Sequence, residues 1–198
     1  MLDKLELEDK IVQMLNEVQT FLDWSKELSE IYDRYEHATT SAMEKQFFIN
    51  SPIAQYVNLH TTLYYFESIS TLNSLLNKGQ RDEISLKNYI YKYRSKDVQK
   101  EIEAFLTRYK TSTTYGVRNK IGDHKASANI GSPSGRFILK LDRKLIDEAL
   151  EYTKEMSSIV QKYFDDPIGN NPIKAYFDKS HHYMIELFDT LFTAQIKK

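Results

Sequence analysis

Residues 96–122 read KDVQKEIEAFLTRYKTSTTYGVRNKIG and carry a clear helical pattern. The apolar residues at its start recur at intervals of three or four: Val98, Ile102, Phe105 and Tyr109. That spacing places them on one face of an α-helix. The pattern continues loosely to Ile121, and the glycine that follows, Gly122, is a typical residue to end a helix. We therefore predict one long helix from about residue 96 to residue 121.

Apolar residues recur at the same intervals of three or four positions both before and after this stretch. Ser51 followed by Pro52, and Asn171 followed by Pro172, are typical helix starts, because a capping side chain precedes a proline in the first turn. Asp142 is a further candidate cap. We predict helices over residues 3–36, 42–48, 52–76, 86–93, 142–163 and 172–191. We expect the buried side of the last helix to be formed by Tyr176, Phe177, Met184, Leu187, Phe188 and Leu191.

The composition agrees with a helical protein. Glycine and proline are scarce, at six and four residues, and the alternating pattern of half-buried strands is almost absent. A chain of 198 residues fits one domain with one core. We predict an all-α, single-domain helical bundle of about five main helices over residues 1–198.

Charge and cysteine content narrow the functional classes. The net charge is −1 and the chain has no cysteine, which excludes disulfides, thiolate metal sites and cysteine nucleophiles. No carboxylate–histidine pattern completes a metal site, and the adjacent pair His181 and His182 diverges by about 100° on a helix. No apolar run approaches the roughly 20 residues that span a bilayer. We expect a cytoplasmic protein with no metal, no cofactor and no membrane partner.

The end of the predicted helix carries an arginine and a histidine six positions apart, Arg118 and His124. On a continuous helix Arg118 lies about 180° from Tyr109, and so points away from the helix's own core. Gly122 between them can tighten the last turn and bring the two side chains together. Arginine offers phosphate a fixed fork of donors, and histidine exchanges protons near neutral pH. Such a pair suits phosphodiester cleavage in RNA, whose 2′-hydroxyl supplies the nucleophile.

Local charge also points to a polyanionic partner. Between residues 108 and 144 the chain has nine basic residues and two acidic ones, a net charge of 9 − 2 = +7. The alternative is that these charges simply keep helix faces solvated. The 14 tyrosines leave a similar choice, since they can stack on unpaired bases or pack the bundle and its interface.

The stretch Arg118-Asn119-Lys120-Ile121-Gly122-Asp123-His124 resembles the signature of the HEPN superfamily, a set of α-helical RNases and RNA-binding domains. That signature is an arginine, a polar residue, a few further residues and a histidine. The form with Asn and Lys after the arginine is similar to the abortive-infection branch in particular. Asp123 departs from that branch, which usually has a small residue at this position. The resemblance covers about seven residues in identity and most of the chain in length and helix order.

The resemblance implies a homodimer in which two signature-bearing helices, here 96–122, form one composite cleft. In that cleft Arg118 would hold the scissile phosphate, His124 would transfer protons and Asn119 would orient the site. Among the nine basic residues counted above, Lys120 and Lys125 are the candidates for contacting RNA. It implies a metal-independent endoribonuclease, a toxin or phage-defence effector, in some members paired with a nucleotidyltransferase antitoxin. Other members only bind, so a non-catalytic RNA-binding or protein-interaction module stays open.

Overall fold

The computed structural model of the protein describes residues 3–77, 84–116, 141–165 and 172–196. Within these ranges the chain is helical or forms connections between helices, and no strand is present. The fold is therefore all-α, as predicted. The helices are α1 Lys4–Ala38, α2 Ala42–Asn50, α3 Pro52–Leu76, α4 Leu86–Tyr93, α5 Lys96–Lys110, α6 Arg143–Tyr163 and α7 Pro172–Ile196. Among the described residues, none of these helices combines the length and apolar character that crossing a membrane requires.

Seven named helices in the described residues exceed the predicted number of about five main ones. Two of them, α2 and α4, have only nine and eight residues. The sequence pattern marked both as short helical pieces. Residues 113–116 add a further helical turn at the edge of the described range.

Most helices begin where a local side chain can satisfy their first amide groups. The Ser51 hydroxyl accepts a hydrogen bond from the Ala54 amide at 3.2 Å, and Pro52 follows it in the first turn of α3. The Asp142 carboxylate accepts from the Lys144 amide at 3.0 Å and caps α6. Both predicted caps are confirmed. The predicted helix end at Gly122 and the predicted cap at Asn171 lie outside the described residues.

Helix α1 lies between α3 and α6 and runs antiparallel to both. On one side the Ser25 hydroxyl donates to the Thr61 carbonyl at 2.8 Å, and further along the Ser68 hydroxyl donates to the Val18 carbonyl at 3.4 Å. On the other side Lys26 pairs with Asp147 at 3.0 Å. The small buried serines let the backbones of α1 and α3 approach closely, and their hydroxyl groups remain hydrogen-bonded.

The core has two parts arranged along α1. The first joins the N-terminal half of α1 to the C-terminal half of α3 and to α4, α5 and α6. The second joins the C-terminal half of α1 to α2, the start of α3 and α7. Burial of this apolar surface, at about 25 cal/mol per Å², is the main contribution to the stability of the fold.

Helix α5 ends earlier than predicted. The sequence pattern predicts a helix continuing to residue 121, but α5 stops at Lys110, and Thr111 forms its C-cap. The Thr111 hydroxyl donates to the Arg108 carbonyl at 2.8 Å, and the Ser112 hydroxyl accepts from the Tyr115 amide at 3.0 Å. These hydroxyl groups compete with the helical hydrogen bonds and start a new turn at residue 113. The predicted angle of 180° between Tyr109 and Arg118 assumed an unbroken helix, so it does not apply.

The expected buried side of α7 is wrong in part. Leu187 and Leu191 of α7 are exposed, whereas Phe188 beside them is buried as predicted. Helix α3 buries one side and leaves Tyr56, Leu59 and Leu63 exposed. The spacing of residues along a helix shows that one face is apolar. It does not show whether another helix covers that face.

Candidate functional site

The residues of the predicted site lie outside the described part of the chain, which pauses after Gly116 and resumes at Leu141. They are Arg118, Asn119, Lys120, His124 and Lys125. The structure nevertheless describes how the chain enters this segment and how it leaves it. Gly116 and Leu141 are the described residues that flank the segment containing the signature.

The entrance is a helical turn, residues 113–116, held by a carboxylate from a distant helix. Glu148 of α6 accepts hydrogen bonds from the Thr114 amide at 2.6 Å and the Thr113 amide at 3.3 Å. It also accepts from the Thr114 hydroxyl at 2.5 Å. A carboxylate at a helix N-terminus satisfies amide groups that have no partner within the helix and interacts favourably with the helix dipole. Glu148 therefore holds the turn at residues 113–116 against α6.

Aromatic side chains also pack against the turn at residues 113–116. The Tyr115 ring packs edge-on against Tyr109, with ring centroids 5.6 Å apart. Tyr109 in turn contacts Tyr152 of α6 at 5.2 Å. Both Thr114 and Tyr109 are buried. Tyr109 thus belongs to the first part of the core, and Tyr115, three residues before the signature, packs against it.

Tyr65 of α3 lies beside Thr114 at the base of this turn. Burial raises the pKa of Tyr65 to about 12; the Thr114 hydroxyl acts in the opposite direction, and the Glu148 carboxylate raises the pKa further. The Tyr65 phenol is therefore protonated throughout the physiological pH range. It is a structural neighbour of the segment and is unsuited to act as a base.

Removal of the Glu148 carboxylate is expected to loosen the entrance turn. Loss of a capping group costs about 0.5–2 kcal/mol, so we expect Glu148→Ala to lower the free energy of unfolding by about 1–2 kcal/mol. Urea denaturation measures that change, and amide hydrogen exchange at Thr114 should become faster. Glu151→Ala, an exposed change one turn later on α6, is the matched control. Equal stability of the two variants would contradict an anchoring role for Glu148.

The exit from the segment is held at the C-terminal half of α1. Leu141 is buried, and Arg143 donates to Glu30 at 2.5 Å. An open pocket of about 360 Å³ lies here, lined by Asp33, Leu141, Asp142 and Arg143. The described chain thus pauses near Tyr65 and resumes near Asp33.

Part of the basic character seen between residues 108 and 144 is offset in space by carboxylates, as the described residues show. Four of the nine basic residues between positions 108 and 144 are described: Arg108, Lys110, Arg143 and Lys144. Arg108 pairs with Glu155 of α6, and Arg143 pairs with Glu30 and lies 3.9 Å from Asp147. Lys110 and Lys144 are exposed. The net charge of +7 was counted over residues 108–144 only. It therefore left out Glu30, Asp147 and Glu155, which lie outside that range.

The other histidines that the structure describes lie in local helical contacts. A ring nitrogen of His60 is 2.9 Å from the Tyr56 carbonyl, as expected for a packing residue. His37 makes the same kind of contact with the Asp33 carbonyl, and His182 pairs with Glu186 one turn along α7. Within the described ranges, no three residues among His, Cys, Asp and Glu are placed to hold a metal ion.

A buried polar cluster at the opposite end of α1 escaped the sequence analysis. Glu8 is 2% exposed and accepts hydrogen bonds from the Tyr89 hydroxyl and, at 3.2 Å, from the Asp165 amide. The Arg94 guanidinium lies 3.5 Å from the Glu8 carboxylate. Lys4 and then Arg94 hold the pKa of the Asp165 carboxyl below its usual value. The cluster joins the ends of α1, α4 and α6. The sequence feature that could have revealed this cluster is Glu8 itself, a charged residue on the apolar stripe of α1, three residues before Ile11.

Comparison of the chain with models of known protein families, with curated proteins and with solved structures gives no match. The functional proposal therefore rests on the residues of this chain alone.

Proposed function

We propose that this protein is a metal-independent endoribonuclease of the HEPN type, acting in a composite site formed by two copies of the chain. The observation that carries the proposal is the stretch Arg118-Asn119-Lys120-Ile121-Gly122-Asp123-His124, which resembles the signature of that superfamily. Two structural facts support it. The protein is all-α, and the signature follows within two residues of a helical turn that Glu148 anchors to the core.

The chemistry follows from the residue types. The 2′-hydroxyl of RNA attacks the adjacent phosphorus and loses its proton, while the bond from phosphorus to the 5′-oxygen breaks and that oxygen gains a proton. The products are a 2′,3′-cyclic phosphate and a 5′-hydroxyl. Arg118 would bind the phosphate oxygens in the planar, bidentate geometry that suits guanidinium. His124 would transfer protons, and Asn119 would orient the site by hydrogen bonding.

Lys120 and Lys125 would contact the RNA backbone on either side of the reacting phosphate. Contacts of this kind contribute affinity without sequence preference and weaken as salt concentration rises. By resemblance, the biological role is that of a cytoplasmic toxin or phage-defence effector. A nucleotidyltransferase-type protein would then be its antitoxin.

RNA cleavage by the purified protein is expected to survive EDTA. The proposed site uses arginine, histidine and the 2′-hydroxyl of the substrate, and none of these needs a metal ion. The measurement is cleavage of a mixed RNA substrate with and without chelator, followed by identification of the termini. Cyclic phosphate and 5′-hydroxyl ends are expected in both conditions.

A DNA strand of the same sequence is the control, since it lacks the 2′-hydroxyl and should remain intact. Loss of cleavage on chelation, with recovery on addition of Mg²⁺ or Mn²⁺, would mean that a different mechanism operates. Cleavage of the DNA control would lead to the same conclusion.

A non-catalytic RNA-binding or protein-interaction module is the second candidate. The observation that favours its protein-interaction form is the pairing of Arg108 with Glu155 and of Arg143 with Glu30, because it neutralises two of the nine basic residues between positions 108 and 144. This candidate predicts no cleavage of any RNA under the conditions above. Filter binding of the same RNA then separates an RNA-binding module from a protein-interaction module.

A further inference from the structure

Met43 on α2 is the most exposed of the methionines that the structure describes. The chain has five methionines, of which Met1 lies outside the described residues. Met43 is 71% exposed, whereas Met156 is fully buried. Met14 and Met184 are half-buried, each packed against one part of the core. The four described thioether groups therefore differ widely in their access to solvent.

One buried residue holds α2 against the bundle and leaves Met43 on the other side of the helix. Among the nine residues of α2, all of which are described, Phe48 is the only buried one. Its ring packs against Tyr32 and Phe192, with ring centroids 5.2 and 5.4 Å apart. Met43 precedes Phe48 by five positions, and so lies about 140° round the helix from it. Met43 and Phe47, which is 70% exposed, are four positions apart and share the outer face of α2.

The position of α2 does not depend on the Met43 side chain. At the start of the helix the Glu44 amide donates to the Ser41 hydroxyl at 3.2 Å, and the Ser41 amide donates to the Glu44 carboxylate at 3.0 Å. Lys45 pairs with Glu36 of α1 at 3.1 Å. Met43 belongs to neither part of the core. A change of polarity at Met43 therefore leaves the helix cap, this ion pair and the core in place.

Methionine is the only sulfur-containing side chain of this protein, because the chain has no cysteine. No thiol therefore competes with methionine for an oxidant. Hydrogen peroxide transfers one oxygen atom to the methionine sulfur as its O–O bond breaks. The thioether is oxidised to a sulfoxide by two electrons, and the peroxide is reduced to water. The oxidant must contact the sulfur, and at Met156 such contact requires an opening of the core.

We propose that, of the four described methionines, Met43 is the one at which hydrogen peroxide oxidises the folded protein, and that the modification is reversible. The sulfoxide is polar, so it makes one apolar residue on the outer face of α2 polar while the core stays intact. Methionine sulfoxide reductases return the sulfoxide to the thioether, one enzyme for each epimer, with two electrons from a dithiol. The reaction needs neither RNA nor the signature residues, so it is independent of the proposed nuclease activity.

The test is the rate of sulfoxide formation at each methionine of the full-length protein, treated with hydrogen peroxide and digested with trypsin at intervals. A lysine or arginine separates every pair of described methionines, so mass spectrometry follows each one in its own peptide. Met43 should be oxidised about 10-fold or more faster than Met156, with Met14 and Met184 between them. The midpoint of urea unfolding should stay unchanged after Met43 alone has reacted.

Unfolded protein is the control, because in concentrated urea all four thioether groups are exposed and should react at similar rates. A Met43→Leu variant keeps the volume and apolar character of the side chain, so it should fold and lose only the earliest of the four sulfoxides. Both reductases together with dithiothreitol should restore the thioether of Met43.

Three outcomes would overturn the proposal. The first is oxidation of Met14, Met156 or Met184 in the folded protein as fast as that of Met43. The second is a fall in the midpoint of urea unfolding when only Met43 has reacted, since the side chain would then support the fold. The third is a Met43 sulfoxide that persists after incubation with both reductases and dithiothreitol, which would contradict reversibility.

Discussion

Replacing Arg118 or His124 with alanine is expected to abolish detectable RNA cleavage while leaving the protein folded. A placed proton-transfer group contributes about 10²–10⁴-fold to the rate, and a donor aimed at developing negative charge contributes about 10²–10³-fold. Arg118→Lys should fail as well, because an ammonium group cannot contact two phosphate oxygens in the planar geometry of guanidinium. The measurement is the rate of RNA cleavage by each purified variant, with toxicity on overexpression as a second readout.

Two substitutions of the same chemical type serve as controls. Arg108→Ala removes an arginine that is paired with Glu155 at the surface, and His37→Ala removes an exposed histidine whose ring contacts the Asp33 carbonyl of its own helix. Both variants should cleave RNA within a few-fold of the wild-type rate. If Arg118→Ala and His124→Ala fold and cleave like the controls, the likeness to the HEPN signature is coincidental.

The second large effect concerns stability at the opposite end of α1. Glu8→Ala is expected to lower the free energy of unfolding by about 3–5 kcal/mol, because it leaves the partly buried Arg94 and the Tyr89 hydroxyl without their shared acceptor. The loss should lie towards the lower limit, since Arg94 also lies 3.5 Å from Asp165. Urea denaturation followed by circular dichroism gives the value.

Glu17→Ala provides the comparison, because Glu17 is an exposed glutamate on the same helix and should cost less than about 0.5 kcal/mol. Replacing Glu8 and Arg94 together with leucine should recover only the part of the stability lost through the unpaired arginine, because the Tyr89 hydroxyl and the Asp165 amide still lack the Glu8 acceptor. If Glu8→Ala is no less stable than Glu17→Ala, the cluster contributes little to joining α1, α4 and α6.

The sequence alone determined where most helices lie. Ser51 and Pro52 begin α3, and Asp142 begins α6, because a helix start is satisfied by side chains within three residues of it. The spacing of apolar residues likewise predicted most of the long helices, and α1 ends at Ala38, two residues beyond the predicted residue 36. These signals are local, so they can be recognised without knowing what the helix packs against.

The sequence also identified Arg118, Asn119 and His124 as candidates through their residue types and order. Their chemistry is a property of the side chains themselves, and the resemblance depends on seven neighbouring residues. The structure of the chain just before these residues, by contrast, was not predicted correctly. The turn at residue 113 starts at the local hydroxyl groups of Thr111 and Ser112, but its attachment to the core depends on Glu148. Glu148 lies 34 positions from Thr114, so no local pattern could reveal that attachment.

Tertiary structure alone decided which apolar faces and which charges are buried. Leu59, Leu187 and Phe188 are alike in the pattern, yet Phe188 is buried and both leucines are exposed. The partners of Glu8 lie 81 positions away at Tyr89 and 157 positions away at Asp165. Spacing along a helix fixes which side chains share a face, but burial depends on the surfaces that distant segments bring to that face.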